Sequence, residues 1–144
     1  MTIFIRLCGA LIALRALTNF AKLFQGDGAT LIVFGQILRG GDVAVPAALI
    51  GAFMLATGIA LWRGGRWALP LVTAYAAYVA INLITWTATN PAELQRVGGM
   101  VSSATDAATL KRDGAWAFVG YCAVALGSTA VPAWLLWRQR TRSA

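Results

Sequence analysis

The side chains best placed to do chemistry lie on two apolar segments that ought to exclude charge. Within residues 67–89, Tyr75, Tyr78, Asn82, Thr85 and Thr89 follow one another at steps of 3, 4, 3 and 4. That spacing stacks side chains along one face of a helix. Within residues 3–24, Arg15 is followed by Thr18, Asn19 and Lys22 on a related face. Counting helical rise from the inner ends of these segments puts Arg15 about 18 Å and Tyr78 about 16 Å deep, with Asn19 and Asn82 both near about 23 Å. A guanidinium at mid-bilayer costs at least about 2.5–3.5 kcal/mol on insertion scales, so Arg15 must face protein or water rather than lipid.

Arg15, Asn19, Tyr75, Tyr78 and Asn82 are therefore the candidate ligand- or partner-binding residues. Two chemistries fit them. One is a small polar pocket that holds an anionic or polar ligand against Arg15. The other is a hydrogen-bonded clasp between helices, or Arg15 pairing with a carboxylate of a neighbouring protein. Polar groups between transmembrane helices more often act as such glue, at about 0.6–2 kcal/mol each, and the clasp or partner contact is the expectation.

What is missing narrows the chemistry further. The chain has no histidine, so the usual imidazole ligands of haem, copper, iron and catalytic zinc are absent. No carboxylate falls inside an apolar span, which removes the ordinary proton relay of a pump. There is no Cys-x-x-Cys pair, no serine–histidine arrangement and no phosphate-binding glycine loop. The expectation is a protein that is not an enzyme, with no catalytic residues, no metal site and no cofactor. Cys8 and Cys122 differ by about 12 Å in expected depth, beyond the roughly 7 Å that a disulfide spans, and are read as free thiols.

The elements that must position these residues are membrane helices. Of 144 residues, 59% are hydrophobic and 12% charged, whereas a soluble domain carries about 25% charged residues. Four apolar spans are predicted, at about 3–24, 43–62, 67–89 and 115–137. Arg6 and Lys22 lie near the ends of the first and can snorkel to headgroups. Arg6 and Arg15 interrupt the apolar run that a cleavable signal peptide would need, and no small-x-small cleavage site follows, so the first span is expected to be a retained helix.

The predicted fold class is all-α: a polytopic integral membrane protein, a four-transmembrane-helix bundle with N- and C-termini cytoplasmic. The whole chain, 1–144, forms a single membrane domain. Residues 29–38 form an apolar stretch too short to cross a bilayer, bounded by Gly26-Asp27-Gly28 and Gly40-Gly41. It is predicted as an outer interfacial segment, a short helix capping the bundle. Pro46 suits the first turn of the second span, and Arg63-Gly64-Gly65-Arg66 closes a tight hairpin to the third. The third stops at Asn90-Pro91. An outer loop, 90–114, follows, in which Ser103-Ala104-Thr105-Asp106 could start a short surface helix to about Arg112.

Charge orients this layout. Arg6, Arg63, Arg66, Arg138, Arg140 and Arg142 fall at one set of span ends, and all five acids, Asp27, Asp42, Glu93, Asp106 and Asp113, fall in the loops at the other. Short-loop Lys/Arg bias makes the arginine side cytoplasmic. Trp62, Trp67, Trp134 and Trp137 at inner ends, with Trp86 and Trp116 at outer ends, match the indole preference for the headgroup boundary. The net charge of +7 is spread over helix ends and a tail, with no stripe suited to nucleic acid. Anionic headgroups of the phospholipid bilayer are the partner it fits.

The small residues look adhesive. Ala48, Ala52, Ala56 and Ala60, flanked by Gly51 and Gly58, and Gly120, Ala123, Gly127 and Ala130 are spaced to let helices approach closely. No internal repeat is evident, and no motif singles out a family. The composition is compatible with a bacterial source. The functional expectation is an accessory or structural subunit of a larger bacterial inner-membrane complex, in contact with other membrane subunits or its own copies. The alternative is a small-solute transporter or channel protomer with a polar pocket around Arg15 and the Tyr/Asn/Thr face.

Overall fold

In a computed structural model of the protein, which describes residues 2–34, 36–89 and 107–143, four helices are long and apolar enough to cross a membrane. They are α1 (Thr2–Ala21), α2 (Ala44–Arg63), α3 (Ala68–Thr89) and α4 (Ala107–Ser143). Between α1 and α2 lies a two-stranded antiparallel hairpin, β1 (Thr30–Val33) and β2 (Gln36–Arg39), flanked by short 3₁₀ turns. The all-α class thus holds for the bundle, with one β-hairpin added at one end.

That hairpin corrects the short helix expected over residues 29–38. Thr30, Ile32, Val33 and Ile37 are β-branched, a composition that favours a pleated strand over a single isolated helical turn. Thr30 pairs with Arg39 and Val33 with Gln36, so the chain reverses between Val33 and Gln36. Phe34 takes φ +49° there, the left-handed conformation that tight hairpin turns demand. On its underside Ala29 and Leu31 are buried with Val43 and Ala47 of the chain entering α2.

The fourth span also starts earlier than expected. Residues 107–114 are helical and continuous with the apolar stretch behind them, so the outer loop does not run to Gly114. A short surface helix ending near Arg112 is not a separate element. At 1.5 Å per residue, 37 residues make a rod about 55 Å long, well beyond a hydrocarbon core of about 30 Å. The Ser103–Asp106 capping pattern and Asn90-Pro91 lie outside the described residues.

Helix packing is uneven. α1 runs along α2 with far more contact than along α4. At the α1–α2 crossing a Cβ on Gly58 would sit 2.6 Å from the Gly9 carbonyl oxygen and 2.8 Å from the Ala13 Cβ. The two backbones touch, as they do where Gly-x-x-x-small spacing lets them. Of the alanine ladder, Ala52 and Ala56 are exposed and Ala48 and Ala60 half-buried, while Ala47, Gly51, Met54 and Gly58 are buried. On α4, Gly120, Ala123 and Ala130 face outward, and a Cβ on Gly120 or Gly127 would meet nothing within 4 Å.

The core joins Ile5, Ile12 and Ala16 of α1 to Met54 and Leu61 of α2, Val72 and Tyr75 of α3, and Ala125 of α4. α2 ends on Gly64, at φ 68°, whose N–H donates to the Ala60 carbonyl at 3.0 Å, a left-handed cap that favours glycine. Arg140 Nη2 donates to the Arg66 carbonyl at 2.6 Å. This contact ties the end of α4 to the α2–α3 turn and defines an arginine end opposite the hairpin end. Cys8 is buried and Cys122 half-buried, both as free thiols.

Candidate functional site

The apolar helices leave a cavity of about 540 Å³ in the hairpin-end half of the bundle. α1 contributes Arg15, Thr18 and Asn19 to its wall, and the 3₁₀ turn that follows adds Lys22. Offsets of 3, 4 and 7 residues from Arg15 bring them onto one stripe. α3 contributes Tyr75, Tyr78 and Asn82 with Val79, Leu83 and Trp86; α2 adds Ile50 and Met54, α4 adds Ala117, Tyr121 and Ala125, and Thr30, Leu31 and Ile32 form a roof. The five candidate residues therefore line one space, together with Thr18 and Lys22. Thr85 does not join them: its hydroxyl donates back to the Ile81 carbonyl at 2.8 Å, the usual retreat of a threonine within a helix. The side chain of Thr89 lies outside the described residues.

Arg15 reaches across to α4. Its Nη2 donates to the Tyr121 hydroxyl at 2.8 Å, with the guanidinium carbon 5.4 Å from the ring centroid. The hydroxyl carries this contact, and the ring's attraction for the cation adds to it. Among the described residues Tyr121 is the only hydrogen-bond partner of this guanidinium, which owns five N–H donors. The expected partners were Tyr78 and Asn82. Tyr121 could have been found by the same depth argument, since it lies about 24 Å from the inner end of its span, within a side chain's reach of Arg15.

Asn82 is committed elsewhere. Its Oδ1 accepts from the Phe34 backbone N–H at 2.7 Å and its Nδ2 donates to the Ile32 carbonyl at 3.3 Å. The amide matches the donor and acceptor at the hairpin tip and pins the roof to α3. Asn19 donates to the Met54 sulfur at 3.1 Å, a weak acceptor. Asn82 is thus a clasp, as polar residues between helices were expected to be, but toward a β-turn that the sequence reading did not foresee.

The tyrosines form an aromatic row. Tyr75 and Tyr78 stack at 6.2 Å and 18°, Phe53 meets Tyr75 edge-on at 5.9 Å, and Phe34 meets Tyr78 edge-on at 5.7 Å. These contacts hold the rings while, among the described residues, neither the Tyr75 nor the Tyr78 hydroxyl bonds to protein. The described lining offers two cations and three phenol hydroxyls and carries no carboxylate. Such a set recognises an anion or a strong hydrogen-bond acceptor. It does not pair a nucleophile with a base.

No family model, curated protein or solved structure matches this chain. What it does must therefore be argued from its own geometry.

Proposed function

We propose that this chain is a multi-pass protein of a bacterial cytoplasmic membrane, with both termini in the cytoplasm, that binds a small anionic ligand in the cavity around Arg15. The reading belongs with transport or ligand capture rather than catalysis. One observation carries it: residues from two helices, picked out by spacing alone, line a single cavity with two cations and no acid among the described lining. Its volume of about 540 Å³ falls in the roughly 300–1,000 Å³ range of small-molecule sites. The orientation is supported by Arg6, Arg63, Arg66, Arg138 and Arg140, all exposed at one end of the bundle, where they would meet anionic headgroups. Trp67 and Trp134 lie beside Arg66 and Arg138 at ring-to-cation distances of 5.7 and 5.3 Å, an arrangement suited to the interface.

The test is native mass spectrometry of the full chain released from mild detergent, wild type beside Arg15→Leu. A small-molecule adduct on the wild type that is lost in the variant, with the helical signal unchanged, is the expected result. A charge-assisted hydrogen bond contributes about 1.5–3 kcal/mol, so affinity should fall at least about tenfold. Equal adducts on both proteins would refute the site.

A second reading, the accessory subunit, is favoured by the outward small-residue stripe of α4, where Gly120 and Gly127 have open space beside them. It predicts that larger polypeptides co-purify with the wild type and are lost on Gly127→Leu. A chain that purifies alone or only with its own copies counts against it.

A further inference from the structure

Resting on the cavity being a ligand site, as proposed above, we infer that its ligand is a membrane-dissolved amphiphile with a single anionic head, of the fatty-acid type, and that it enters sideways between α1 and α4. The exits of the cavity point to this route. Toward the hairpin end it is roofed by Leu31 and Ile32, on a hairpin whose tip is bonded to Asn82. Toward the arginine end it stops on the buried cluster that includes Met54, Tyr75, Ile12 and Val72.

The remaining side is the seam between α1 and α4, the sparsest of the neighbouring helix contacts. Tyr121 is a wall of the cavity and yet 52% exposed on the bundle surface. Thr18 is likewise both wall and surface. Thr30 of the roof is both as well; such side chains mark where the cavity reaches the outside, and two of the three stand on the seam. On an apolar helical surface at this depth the outside is lipid, so the molecules that find the opening are those dissolved in the bilayer.

The lining then selects among them. Arg15 stands at the opening with its guanidinium bonded to one hydroxyl among the described residues, and its remaining N–H donors suit a carboxylate. Behind it, Ile50, Met54, Val79, Leu83 and Trp86 offer an apolar wall for a chain. The volume equals about eighteen waters at about 30 Å³ each, far more than an inorganic anion fills. Tyr121 acts as the latch: its hydroxyl holds Arg15 across the seam when no head group is present and yields that place to the incoming anion.

Trp86 supplies the readout, because it lines the cavity and is 8% exposed, whereas Trp62, Trp67, Trp116, Trp134 and Trp137 are exposed. The full chain with those five changed to Phe is placed in lipid nanodiscs. Trp86 fluorescence is followed against a brominated fatty acid, its methyl ester and aqueous iodide. Saturable quenching by the acid, at least tenfold weaker with the ester and with Arg15→Leu, is expected. Equal quenching by acid and ester overturns the inference. Should iodide quench Trp86 in an Arg15-dependent way while the fatty acid does not, the lateral amphiphile is overturned and the anion cavity stands. If no probe responds to Arg15→Leu, both fall.

A diazirine fatty acid on the unaltered chain keeps the question open to test if the five-fold variant does not fold. Labelling competed by oleate and confined to residues 15–22, 75–86 and 117–125 is expected. Labelling spread evenly over Leu7, Leu11, Leu49 and Ile59, which face outward, overturns the inference.

Discussion

α1 meets its neighbours in two opposite ways. Toward α2 it presents Gly9 and Ala13, and the backbones approach until a single added methyl at Gly58 would lie 2.6 Å from a carbonyl oxygen. Toward α4, across the Arg15 stripe, it leaves a cavity bridged by one hydrogen bond among the described residues. Lipid tails are as apolar as any side chain, so helices associate by close van der Waals contact and by hydrogen bonds rather than by escape from water. The first interface uses contact, the second a sparse set of polar bonds. One helix thereby packs closely on one face and stands off on the other.

The contrast can be broken most forcefully at its tight side. Gly58→Val drives side-chain atoms into the Gly9 carbonyl and Ala13. A loss of about 3 kcal/mol or more is expected, toward the upper end of overpacking costs. Thermal unfolding in detergent should show it as a large fall in Tm, and an unchanged Tm would mean that the crossing is looser than described.

Asn82→Leu comes next and acts on the roof. It removes the bonds to the Phe34 N–H and the Ile32 carbonyl, worth about 0.5–1.5 kcal/mol each. The effect should be local: faster hydrogen exchange across residues 30–39, with the helices protected as before. Equal acceleration in α1 and α2 would show that the hairpin is part of the global core.

Tyr121→Phe keeps the ring and removes the one bond over the seam among the described residues. Stability should change by about 1.5 kcal/mol, the low end for a hydrogen bond to a charged group, because the pair is exposed. Exchange of α1 amides around Arg15 should rise, and a fall in Tm as large as that of Gly58→Val would erase the distinction between the two interfaces. The smallest effect is expected at Gly120→Ala. Its Cβ meets nothing within 4 Å, so relief from glycine's backbone entropy should stabilise α4 by about 0.5 kcal/mol. A loss of assembly instead would reveal a partner on that face.

Much of the candidate site was legible because helical periodicity and depth are both linear in sequence. Arg15, Asn19, Tyr75, Tyr78 and Asn82 could be placed at matched heights without any knowledge of helix order. Tyr121 obeys the same arithmetic, but it has no polar residue three or four positions away to mark a face. The roof was not legible in that way. Ten apolar residues between glycines suit a strand pair or a helical turn alike, and short apolar runs do not discriminate between the two.

The small-residue faces divide similarly. Gly51 and Gly58 are spaced for packing and do pack. Yet the alanine ladder beside them, equally regular in sequence, points outward at Ala52 and Ala56. The partner on α1, Gly9 with Ala13, carries the same four-residue step and was not singled out. In an alanine-rich chain, spacing marks several possible faces, and only the neighbour's shape chooses among them.

By itself the sequence determined how many apolar helices there are, which end gathers the arginines and which side chains share a stripe. Each of these follows from local composition and a fixed helical rise. Tertiary structure alone decided that α1 closes on α2 and stands off α4, that Arg15 meets Tyr121, and that a hairpin pinned by Asn82 covers the space between. Those outcomes depend on the complementarity of surfaces far apart in the chain. In an apolar medium a missing methyl or one hydrogen bond is enough to settle which surfaces touch.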